Sequence, residues 1–250
     1  MSAPGAARGP VPGDVDLRGD HHVHSTFSDD AHSTPAENLA AAHERGLAEI
    51  RMVEHVRSTS THVPAFLAAV AALAVPAGLT VRTGVEAKIL DTAGTVDAPR
   101  AVLAALGSSD GPGRVLLADH QLPGPDGPWS PRTVRERLDA GLAPSDVVDH
   151  LVTAYVAALA RTGPAQLAHP FSILPKVGLG EDDVDEDHLA ALTVALRDAD
   201  GAVEVNEKWR CPGPRVAAAL QAGGVPLVAS TDAHHARDVG AYRWLAGTDG

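Results

Sequence analysis

The sequence predicts an α/β fold in which seven parallel strands close into a barrel within an outer layer of helices. Three observations point there. Short runs rich in β-branched residues alternate with longer Ala- and Leu-rich amphipathic segments, the order that builds parallel strands joined by crossover helices. Five of the six helical segments open at or beside a proline, which suits the first turn of a helix. The turn after the first strand reads HHVHSTFSDD and holds no glycine. A doubly wound sheet, the competing architecture, would carry a Gly-rich phosphate loop there.

In chain order, strands are expected near Val15–Asp20, Glu49–Glu54, Thr80–Lys88, Arg114–Asp119, Gln166–Ala168, Ala202–Glu207 and Pro226–Ser230. Helices are expected near Pro35–Glu44, Pro64–Val75, Pro99–Leu106, Pro144–Arg161, Glu186–Arg197 and Pro214–Ala222. Residues 1–14 are mostly Gly, Ala and Pro and lack the apolar stretch of a secretory signal. They read as a mobile tail before a single domain over 15–250. The Pro- and Gly-rich stretch 121–143 reads as an extended loop over one face, serving as a substrate wall or as a plain surface insertion. The acidic run Glu181–Asp187 reads as a solvated turn leading into a helix.

Composition narrows the function. Hydrophobic residues make up 44% of the 250 but aromatics only 3%, so Ala, Val and Leu must build the core. Twenty basic residues against 32 acidic ones give a formal charge of −12. Nucleic acid and anionic membranes select a basic footprint, so both are disfavoured as partners. An anionic substrate stays possible where metal ions neutralise the site locally. The single cysteine, Cys211, excludes an internal disulfide and a thiolate zinc cluster. No run of 18 apolar residues occurs, and a cytoplasmic location is expected.

The 13 histidines carry the chemistry. His22 and His24 stand two apart, a spacing that points both imidazoles the same way in extended chain. His55 closes the second strand, Glu86 lies in the third, His120 follows the fourth and His169 the fifth, while Asp232 and His234 follow the seventh. The carboxyl ends of parallel strands share one face, so these residues converge. His32, His43, His62, His150 and His188 fall in helices or loops and read as solvated, and His21 and His235 flank the motifs. Nitrogen and carboxylate donors without thiolate suit Zn²⁺, Mn²⁺ or Fe²⁺. Eight donors exceed one ion's shell, so two to three ions are expected, with Glu86 as the natural bridge. No nucleophile elbow is present, which leaves metal-activated water as the nucleophile.

The succession of HxH, an acid after it, a strand-end histidine preceded by an acid, GxE, His, HP and DxH resembles the PHP (polymerase and histidinol phosphatase) family from about Asp20 to His234. The resemblance implies a distorted (β/α)7 barrel with a trinuclear metal centre that hydrolyses phosphate esters. It places His22, His24, His55, Glu86, His120, His169, Asp232 and His234 in ligand positions, with Glu86, Asp232 and His234 as candidate catalytic residues. The acidic slot after HxH falls on Asp29, with Asp30 as the alternative where the family often has glycine. Val53-Glu54-His55 replaces the usual TDH, a shift toward the histidinol phosphatase side.

Cations next to the motifs are candidates for substrate phosphate: Arg57, Lys88, Lys208, Arg210 and Arg237. Trp209, between Lys208 and Arg210, could wall an organic leaving group. The expected function is a phosphomonoesterase acting on a small-molecule phosphate ester. Alternatives are a phosphodiesterase or exonuclease on short oligonucleotides, a non-catalytic metal-binding domain, and a metal-dependent amide hydrolase. Low aromatic content weighs against the nuclease, because stacking platforms are scarce.

Overall fold

The computed structural model describes residues 15–106 and 113–248; the tail expected at 1–14 lies outside them. Among the described residues, nine strands and seven α-helices follow one another. They are β1 (Gly19–Val23), α1 (Pro35–Glu44), β2 (Glu49–Val56), α2 (Val63–Ala71), β3 (Thr80–Lys88), α3 (Arg100–Leu106) and β4 (Gly113–Ala118). Then come β5 (Leu122–Gly124), β6 (Gly127–Trp129), α4 (Pro131–Asp139), α5 (Pro144–Thr162) and β7 (Ala165–Ala168). The chain continues with α6 (Glu186–Asp198), β8 (Ala202–Asn206), α7 (Pro214–Ala222) and β9 (Leu227–Ser230).

Seven strands form one parallel sheet in the order β1-β2-β3-β4-β7-β8-β9, while β5 and β6 make a separate antiparallel hairpin. The sheet curls until its outer strands meet. Val23 and Ala233 form a lone parallel bridge, and His24 N–H donates to Ala233 O at 2.8 Å. Lower in this seam the Asp20 carboxylate replaces missing ladder bonds. It accepts from Thr231 N at 3.0 Å, Thr231 Oγ1 at 2.6 Å and Gly240 N at 2.8 Å. The result is a nearly closed barrel.

Small aliphatics fill the layer between the barrel and its helices, as composition requires. Helix α5 buries Val147, Leu151, Tyr155 and Ala158 in one stripe at the spacing that keeps residues on the same helix face. Tyr155, Phe66 and Phe171 are the aromatics among the largest fully buried side chains.

Two expectations are corrected. The first strand begins at Gly19 rather than near Val15 and runs through His22, so the first histidine of HxH lies inside a strand. Polar residues disguise it, because the strand's inward face meets a polar barrel interior rather than apolar core. The stretch 121–143 is not an extended loop: it holds the β5–β6 hairpin and α4. Ser130 caps α4 by accepting from Thr133 N, and Pro131 opens it. Trp129 is buried at the base of this insertion, with the Arg137 guanidinium 3.7 Å from its ring centroid.

Candidate metal centre

Barrel register brings the candidates together. The unbroken β2–β3 ladder pairs His55 directly with Glu86. Strand β1 carries His22 inward, and His24 follows two residues later on the same side; both are fully buried. His120 lies just past β4, His169 directly after β7, and Asp232 and His234 just past β9. Glu86 is the hub. Its Oε2 lies 3.4, 3.3 and 3.3 Å from the Nε2 atoms of His22, His24 and His55. Its Oε1 lies 3.0 and 3.1 Å from those of His120 and His169. Asp232 Oδ1 adds contacts of 3.7 Å to His22 and 3.4 Å to His24.

Four imidazoles have Nδ1 tied back, so that Nε2 faces the centre. His22 Nδ1 donates to Glu204 Oε2 at 2.9 Å, and His24 Nδ1 to Ser28 Oγ at 3.2 Å. His169 Nδ1 donates to Ser172 Oγ at 3.1 Å, and His234 Nδ1 to the Asp232 carbonyl at 2.9 Å. This is how a protein fixes the tautomer of a metal-binding histidine. Two of the inner atoms are left unsatisfied: Glu86 Oε2 and His55 Nε2 are buried without a hydrogen-bond partner. The residues therefore fit a metal cluster. Among the described residues four trios have donor atoms within 4.8 Å of one another: His22–His24–Glu86, Glu86–His120–His169, His24–His55–His234 and His22–His169–Glu204, the last sharing its histidines with the first two.

The electrostatics agree. Burial alone would raise Glu86, but His120 and His22 hold its carboxyl well below the usual range. Asp232 likewise falls well below its ordinary value, with His24 and His22 outweighing burial. Burial would lower His169, yet Asp119 and Glu86 lift it to about 10. Burial pushes His55 down to about 4. Six imidazoles around two ionised carboxylates attract cations, and protons and metals compete for the same Nε2 atoms. Backbone geometry adds strain, since His169 and Asp232 sit at φ of 33° and 52°, which non-glycine residues adopt only where their surroundings impose it.

In the acidic slot, Asp29 and Asp30 both line the metal pocket. Asp30 Oδ2 lies 3.3 Å from His234 Nε2. Among the proposed phosphate contacts, Arg57, Lys88 and Lys208 line this pocket, whereas Arg237 lines a neighbouring cavity. Arg210 lines neither of the two. Lys208 Nζ is engaged by Asp232 Oδ2 at 2.8 Å, the same oxygen that Trp209 Nε1 reaches at 2.9 Å. Together they orient the Asp232 carboxylate so that Oδ1 faces the histidines. Of the histidines read as solvated, His188 is mostly enclosed between Asp149 and Asp185, each at 2.8 Å. His32 stacks on His235 with ring centroids 4.3 Å apart.

Sequence reasoning missed the supports behind the candidate ligands. Glu204, fully buried in β8, accepts from His22 Nδ1, from Gln166 Nε2 at 2.9 Å, from His169 N at 2.7 Å and from Asn206 Nδ2 at 2.9 Å. Asp119 accepts from Ser172 Oγ at 2.9 Å and Tyr155 Oη at 2.9 Å, fixing the serine that holds His169. Glu54 accepts from Ser28 Oγ at 2.6 Å, and burial raises its carboxyl to about 7. The available signal was a carboxylate set among valines in a strand meant to be apolar, as in AVEVN.

The family model of the PHP domain matches residues 20–207, and no curated protein matches the sequence. In fold the chain is similar to histidinol phosphate phosphatase from Lactococcus lactis, solved with zinc, L-histidinol and phosphate. The TM-score is 0.64 at 15% identity, covering 92% of this chain and 93% of that one. It is also similar to a putative histidinol phosphatase from Listeria monocytogenes, with TM-score 0.63 and 16% identity over 89% of this chain and 97% of that one. With the model spanning most of the barrel and its candidate ligands, this chain belongs to the PHP domain family.

Proposed function

We propose that this protein is a metal-dependent phosphomonoesterase acting on a small-molecule phosphate ester. The observation that carries the reading is a single buried carboxylate, Glu86, faced by the Nε2 atoms of five histidines at 3.0–3.4 Å. His22, His24, His55, His120, His169, His234, Asp232 and Glu86 would hold two to three divalent ions, with Glu86 shared between sites and Asp30 closing the shell beside His234. Zn²⁺, Mn²⁺ and Fe²⁺ all suit this donor set. Bound there, such ions would polarise the phosphoryl oxygens and make a water molecule nucleophilic at neutral pH.

The chain's own groups do the rest. Glu204, Ser28, Ser172 and the Asp232 carbonyl keep each imidazole aimed inward. Lys88 and Arg57 line the pocket where phosphoryl oxygens would sit. One water is consumed, the phosphorus–oxygen bond to the alcohol breaks, and the alcohol leaves with a proton as inorganic phosphate is released.

The test compares an aryl monophosphate with the matching bis-aryl diester in the presence of Mn²⁺ or Zn²⁺. Faster hydrolysis of the monoester, lost in Glu86→Gln, is expected. The reverse order would put a phosphodiesterase first.

A further inference from the structure

A second cavity opens beside the metal centre. We propose that it receives the leaving group of the phosphate ester and selects one carrying a second anionic group, a carboxylate or another phosphate. The proposal rests on the phosphoesterase reading above. The cavity, about 910 Å³, shares Lys208, Asp232 and His234 with the metal pocket of about 310 Å³. An ester whose phosphoryl group lies among the metal ligands can therefore extend its alcohol portion past these three residues.

Arg45, Arg237 and Arg243 line that cavity. In a chain of formal charge −12, three guanidiniums around one hollow run against composition. Two of the three carboxylates of the same wall, Glu207 and Asp232, are engaged away from these guanidiniums, and the third, Asp238, faces Arg237 alone. Glu207 accepts the backbone N–H groups of Arg243, Trp244 and Leu245 at 2.9, 2.8 and 3.0 Å. Asp232 takes Lys208 and Trp209, and Asp238 lies 3.8 Å from Arg237 Nε. Arg45 donates to the Arg237 carbonyl, which holds its side chain at this rim. Guanidinium groups present paired, planar donors to carboxylate or phosphate oxygens. A leaving group bearing an ammonium would meet like charge and acceptors already in use. Substrates with cationic leaving groups, such as an amino alcohol phosphate, are thus selected against.

Calorimetric titration of the metal-loaded full chain with three phosphonates of equal length tests the cavity independently of turnover. The ligands are 5-phosphonopentanoate, pentane-1,5-bisphosphonate and 5-aminopentylphosphonate, and hydrolysis of the corresponding phosphate esters is measured in parallel. Binding of the two anionic ligands should exceed that of the amine by about tenfold or more, the scale of one charged hydrogen bond. Arg243→Glu or Arg237→Glu, both at exposed side chains and checked for folding by circular dichroism, should shrink that ratio to about threefold or less. The carboxylate and bisphosphonate arms show which anion fits. Equal affinities in the parent protein, a preference for the amine, or no binding by any of the three would overturn the proposal. Retained anion preference without hydrolysis of any ester would instead sink the phosphoesterase reading and leave the cavity assignment standing. Hydrolysis of all three esters at equal rates would do the opposite.

Discussion

Asp29 and Asp30 are neighbours, and neighbours in irregular chain point to different sides. The spacing after HxH favours Asp29, but the carboxylate beside His234 belongs to Asp30, at 3.3 Å. We expect Asp30→Asn to lower turnover by about tenfold or more, the low end of losses seen for outer partners of metal ligands, and to lower metal content. Asp29→Asn should stay within a few-fold. Steady-state rates with elemental analysis of both variants would reveal the reverse order if the earlier residue is the ligand. The remaining candidate ligands were legible because their types are conspicuous and each follows a strand. Glu204 and Asp119 were not, since one sits in a strand interior and the other merely precedes His120. Their roles come from tertiary neighbours, Gln166 and Asn206 for one and Tyr155 and Ser172 for the other.

Elements were legible where apolar periodicity sets them. The expected β3, α1 and α7 coincide with the observed spans, because each starts from clear boundary residues. Helix α4 escaped, hidden by the Pro and Gly density before it, although Ser130-Pro131 is an ordinary helix start. Close approach between elements imposes a further demand at Gly94, in the loop after β3. Its φ is 73°, and a Cβ there would overlap the backbone of α5 at Ala157 and Ala158. Gly94→Ala therefore adds left-handed strain to a steric clash, and we expect it to lower stability by about 2–3 kcal/mol. Urea denaturation would measure it; a loss under about 0.5 kcal/mol, the range of neutral surface changes, would mean that α5 moves aside freely.

At the scale of the molecule, barrel rather than open sheet was legible from the glycine-free first turn, whereas the seam was not. Closure depends on Asp20, which meets Thr231 across 211 positions of sequence, and on the Val23–Ala233 bridge, and neither residue pattern announces such a pairing. Metal ions that bind the closed barrel and not the unfolded chain stabilise it by mass action, by about 2.7 kcal/mol at a hundredfold excess over Kd. For a chain of this size that corresponds to about 5–10 °C in Tm. Chelation followed by reloading should lower and then restore Tm by this amount, and elemental analysis should find two to three equivalents of metal per chain. One equivalent under replete conditions would contradict a shared Glu86.

The seam also makes the candidate metal centre a property of the whole topology rather than of any one segment. His22 and His24 come from the first strand of the barrel and its end, whereas Asp232 and His234 stand just past the last, so no half of the barrel holds the complete set of candidate ligands. The full set of candidate donors faces one centre only where the first and last strands have met across the seam. A chain cut before β9 would keep His22, His24 and Glu86 and lose Asp232 and His234, so the cluster and the closure of the barrel are one and the same event of folding.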